Sequence, residues 1–112
     1  MDFITSADSI NEQDYIILVK EERLYASIAQ NWRPLQFKDI PKEIGYSLQT
    51  SSFIFVDNIN NQRCYVVEYQ EMLDEVYLSS LRSHMHAISD FEYQLASRSL
   101  QLMTWYKQHQ FC

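Results

Sequence analysis

The chain has 112 residues, the size of one compact domain, and carries 9 Lys+Arg against 15 Asp+Glu for a net charge of −6. With 46% hydrophobic and 14% aromatic residues it holds enough apolar matter for a core, which excludes intrinsic disorder. Its single glycine, Gly45, stands where average usage of about 7% would give about eight, and this excludes Walker loops and dinucleotide fingerprints, which need clustered glycines.

In chain order, the N-terminus shows no basic flank followed by an apolar stretch, so no signal peptide is read there and the expected address is the cytoplasm. Asp14–Val19 is a β-branched run of strand length, and Leu24–Ile28 follows a polar tetrad; together they predict a hairpin over about 14–28. Pro34 and Pro41 bracket a stretch without clear period, read as irregular, and Gly45 after it is read as a turn residue. Ser52–Val56 and Arg63–Tyr69 form a second hairpin over about 52–69. Its tip has no glycine, so asparagine must supply any positive-φ position there.

Apolar residues at 78, 81, 85 and 88 predict a short helix. Ser89 and Glu92 then have capping-box spacing, and no Gly or Pro interrupts residues 91–110, where apolar positions recur at helical spacing; Lys107 and His109 lie at the cation-favouring end. A long amphipathic helix over about 90–110 is predicted. Strands first and helices last give an α+β fold, with residues 1–112 forming one domain.

Chemistry-bearing patterns are sparse. His84 and His86 project about 200° apart on a helix, and no third ligand lies near, so they are read as structural. Glu68, Glu71, Asp74 and Glu75 form an acidic group that suits Mg²⁺ but more often marks a solvated face. No nucleophile signature accompanies any Ser, His or Cys. Cys64 is expected to pack as a small hydrophobe. The acidic balance argues against direct nucleic-acid binding, and no apolar run spans a membrane.

The last residues carry a more specific signal. Leu95, Ala96, Arg98, Gln101, Leu102, Trp105, Tyr106, His109, Phe111 and Cys112 stand at the spacings of a helix in one known family. The segment resembles the end of the N-terminal domain of bacterial NADH pyrophosphatases, the Nudix hydrolases that also remove NAD caps from RNA. The order of the upstream strands, with Leu81-Arg82 before the helix, agrees more loosely.

The resemblance implies that Cys112 is the first of four ligands of a zinc ribbon, and that the ribbon and the Mg²⁺- or Mn²⁺-dependent Nudix domain lie beyond it. Leu95, Leu102 and Tyr106 would then anchor the helix on the sheet, with Trp105, His109 and Phe111 near the ribbon. The chain contains no Nudix box, so it is expected to be inactive alone and to need no cofactor of its own. Its implied partners are those two domains and a second copy in a homodimer. The rival expectation is a stand-alone acidic interaction domain without nucleotide chemistry; a small enzyme using the acidic group ranks below both.

Overall fold

A computed structural model describes residues 4–26 and 31–109. The elements in order are β1 (Ile4–Ser6), β2 (Tyr15–Lys20), β3 (Arg23–Tyr25), β4 (Leu35–Gln36), α1 (Lys42–Ser47), β5 (Ser52–Ile59), β6 (Gln62–Glu68), β7 (Leu78–Ser79) and α2 (Asp90–His109). The fold is α+β, built on one mixed sheet in the order β1-β5-β6-β2-β3-β7, with β4 also paired to β2.

Both predicted hairpins form over their described residues; residues 27–28 of the first lie outside them. β2 and β3 pair antiparallel through Val19 and Leu24, and β5 and β6 pair antiparallel from Ile54 opposite Val66 to Ile59 opposite Gln62. Neither tip contains glycine, so four L-residues take positive φ: Glu21 and Glu22 in the first turn, Asn60 and Asn61 in the second. Positive φ at both central positions is the backbone sense that matches strand twist in a two-residue hairpin turn. The asparagines were expected; the glutamate pair is less suited to that conformation.

The two hairpins meet through a parallel pair. β2 lies beside β6 with Tyr15 opposite Cys64 and Val19 opposite Glu68. Parallel strands are normally covered on both faces, and these are. Ile17, Val19, Cys64, Val66, Ile54 and Val56 point to one side, where they pack with Trp32 and with Leu95, Ala96 and Met103 of α2. Ile16, Leu18, Phe53, Tyr65 and Val67 point to the other, where they meet Ile40, Ile44 and Leu48 in and around α1. The apolar runs therefore lack polar alternation because each strand has two dry faces.

Three stretches depart from the sequence reading. The irregular segment between the prolines contains β4 and a 3₁₀ turn at Phe37–Asp39. Gly45 is not a turn residue: it sits inside α1, without positive φ, and a Cβ there would meet Phe37 at an ordinary 3.8 Å. Packing of Ile44 and Leu48 on the second face holds that short helix despite its glycine.

The helix expected over 78–88 reduces to β7 and a 3₁₀ turn at Leu81–His84. Ser80 caps the turn by accepting the Ser83 N–H, but the turn stops at His84, whose ring is held by the Trp32 N–H and Ser79. Leu78 instead pairs with Tyr25 at the sheet edge.

Candidate functional site

α2 begins as its sequence predicts. Ser89 N–H donates to Glu92 Oε1 at 3.0 Å and Glu92 N–H donates to Ser89 Oγ at 3.1 Å, closing a reciprocal capping box. The helix lies on the sheet through small residues. Ala96 and Ser99 are fully buried, so the backbone approaches closely, and Ser99 satisfies its hydroxyl by donating to the Leu95 carbonyl at 2.8 Å. Leu95 and Met103 complete the buried stripe.

The described positions among the ten singled out in the sequence from Leu95 onward distribute around this stripe. Leu95 and Ala96 lie in it, while Leu102 and Tyr106 are half-buried and pack against the same cluster from its margin. Arg98 lies outside the stripe, its guanidinium 3.6 Å from the Asp57 carboxylate. Asp57 reaches that position because an irregularity between Phe55 and Asp57 sets Asp57 opposite Cys64, on the side of the sheet that α2 covers. Gln101 is exposed.

Trp105 and His109 stack with ring centroids 4.6 Å apart, and His109 Nδ1 donates to the Trp105 carbonyl at 2.7 Å. The imidazole must be the donor, since a carbonyl only accepts. Phe111 and Cys112 lie outside the described residues.

A cleft runs beside the C-terminal half of α2, at the carboxyl ends of the parallel pair. On one side of Lys107 is a cavity of about 260 Å³ walled by Val19, Leu100 and Met103, with Glu22 and Glu68 on it. On the other side is a second cavity of about 230 Å³ that shares Glu68, Met103 and Lys107. The Lys107 ammonium sits 3.3 Å from Glu68 Oε2. Sequence reading found Glu68 only as a member of an acidic group; the cleft depends on β2 and β6 being parallel neighbours, which no local pattern announces.

The acidic group itself is divided among separate duties. Arg23 donates to Glu75 through both terminal nitrogens, at 2.6 and 3.2 Å, and this fork holds the Glu75 carboxyl below its usual range. Asp74 accepts from the Val76 N–H, and Glu68 takes Lys107. Among the described residues no three His, Cys, Asp or Glu side chains group as a metal site.

His84 is buried and structural. Trp32 N–H donates to its Nδ1 at 3.4 Å, so the ring proton resides on Nε2, which donates to Ser79 Oγ at 2.6 Å. Burial lowers its pKa. His86 is exposed. Cys64 is fully buried, and desolvation, with the Asp57 charge adding to it, pushes its thiol up to about 12.

No protein-family model and no curated protein matches the chain. No helix among the described residues is long and apolar enough to cross a membrane.

Proposed function

We propose that this chain is the accessory N-terminal domain of a Nudix hydrolase of the NADH pyrophosphatase type, a cytoplasmic homodimer that cleaves the pyrophosphate of NADH or of NAD-capped RNA. The domain is non-catalytic and assists assembly. The observation that carries this reading is the run of ten matched positions from Leu95 to Cys112.

Their placement supports it. Leu95, Ala96, Ser99 and Met103 seat the helix on its own sheet, while Gln101 and His109 lie exposed on it. Those exposed positions are where a following domain would dock. Zn²⁺ would take Cys112 as one of four ligands in the longer protein, and Mg²⁺ or Mn²⁺ would be held by glutamates downstream of it.

The test has two parts. The coding sequence past codon 112 should continue into Gly-x-Cys-Gly and a Nudix box. The polypeptide it encodes should hydrolyse NADH with Mg²⁺ and bind zinc, with zinc lost in Cys112→Ser, while the 112-residue chain shows no turnover. A stop codon after Cys112, or a continuation without those motifs, sinks the reading and leaves a stand-alone interaction domain. Turnover by the 112-residue chain would refute its non-catalytic role.

A further inference from the structure

The cleft under the C-terminal half of α2 has a chemistry independent of that reading. Its first cavity is apolar along Val19, Leu100 and Met103, and carries two carboxylates, Glu22 and Glu68, against one ammonium, Lys107. On α2 it is lined from Leu100 to Gln108. Together these features favour a cation with an aliphatic body. The second cavity continues past the same Glu68 and offers oxygen acceptors on Thr50, Ser52 and Gln70.

Glu68 is the fixed point. Its side chain is only 13% exposed and it ends a central strand, whereas the side chain of Lys107 is 47% exposed. A long, half-exposed lysine on a carboxylate is weakly held, because ordering its chain costs nearly what the ion pair returns. Lys107 thus behaves as a tethered alkylammonium already seated in the cleft, and one that can be exchanged.

We propose that this cleft binds a linear aliphatic polyamine, whose ammonium groups replace Lys107 on Glu68 and reach Glu22 on one side and the oxygen acceptors of the second cavity on the other. The carbon chain lies against Leu100 and Met103. No bond is made or broken; one ammonium is exchanged for another.

Spermidine is the probe, titrated into the 112-residue chain by calorimetry and by amide chemical-shift mapping at about 0.15 M salt, where loose attraction to an acidic surface is largely screened. Saturable binding is expected, with shifts centred on Val19–Glu22, Glu68–Gln70 and Leu100–Gln108. Glu68→Gln should weaken it about tenfold or more, the loss expected when a charge-assisted hydrogen bond is removed. Lys107→Met should tighten it, because the competing ammonium is gone. Lys42→Met removes the same charge from α1 on the opposite face and should leave affinity unchanged. Absence of saturable binding in the unaltered chain and in Lys107→Met alike overturns the proposal. So does an equal gain from Lys107→Met and Lys42→Met, which would mean that net charge alone attracts the amine. Should Glu68→Gln unfold by circular dichroism, the Lys107 and Lys42 pair still decides.

Discussion

His84 shows how a single side chain ties distant segments together. It accepts the Trp32 N–H and donates to Ser79, joining the segment that buries Trp32 to the sheet edge at β7. Burial disfavours its charged form, so its folded pKa lies below the ordinary value of 6.5. The unfolded chain therefore binds the proton more readily, and stability must rise with pH across the interval between the two values. The contribution is complete above about 6.5, is lost as pH falls toward the folded pKa, and levels off below it. Thermal melting between pH 8 and 5 should show this loss, and His84→Ala should flatten it while costing about 2 kcal/mol at neutral pH through the unpaired Trp32 and Ser79 groups. An unchanged pH slope in the variant would assign the dependence elsewhere; Glu75, whose carboxyl Arg23 holds low, titrates in a more acidic window.

Cys64 gives a second residue-scale prediction. Its thiol, pushed up to about 12 and fully buried, offers almost no thiolate at pH 8. Iodoacetamide should leave the peptide containing Cys64 unmodified in the native protein and label it once urea unfolds the chain. Labelling of native Cys64 at the rate of a free thiol would contradict its burial. Its role as a small packed hydrophobe was legible because it opens the apolar run Cys64-Tyr65-Val66-Val67, and on the strand it shares its buried face with Val66.

At the scale of elements, those with a strong local signal were readable and those made by tertiary contact were not. α2 announced itself through the Ser89–Glu92 spacing and the uninterrupted run that follows, and the capping box forms at both of its hydrogen bonds. Ser89→Ala should lower stability by about 1 kcal/mol and Ser89→Asp should restore most of it, measured by urea denaturation. Equal stability of all three would mean that the start of α2 is held by packing alone. In contrast, α1 contains a glycine and is only six residues long, so its start signals, Pro41 and Glu43, are not enough alone; Ile44 in it and Leu48 at its C-cap are held because the second face of the sheet needs covering. The opposite error at Leu81–His84 came from apolar spacing that fits a helix, overridden by tertiary contact: Leu78 pairs with Tyr25 at the sheet edge and His84 is held by Trp32 and Ser79. The candidate site was not legible in the same way: the cleft at Glu68 and Lys107 joins residues from β6 and α2 that only the parallel pairing of β2 with β6 brings into one place.

For the whole molecule, that parallel pair is the organising feature. It places two hairpins distant in sequence side by side and obliges both faces of the sheet to be covered, one by α2 and the other by α1 and its flanking turns. The two covers differ in size. α1 contributes six residues, while α2 contributes twenty and closes the face formed by Ile17, Val19, Ile54, Val56, Cys64 and Val66. Without α2 that face would be a continuous apolar surface on a sheet, the condition under which edges and faces associate. A chain ending at Ser89 should therefore lose cooperative thermal unfolding and elute as aggregates in size-exclusion chromatography, whereas the 112-residue chain melts in one transition. The cause should be loss of cover and not mere shortening. Ala96→Leu, which keeps the helix but forces extra volume against the sheet where Ala96 is fully buried, should retain the single transition and lower stability by about 1–3 kcal/mol. A monomeric, sharply melting truncated chain would show that the sheet is held by its hairpins and the α1 side alone, and that α2 is an appendage available to another domain.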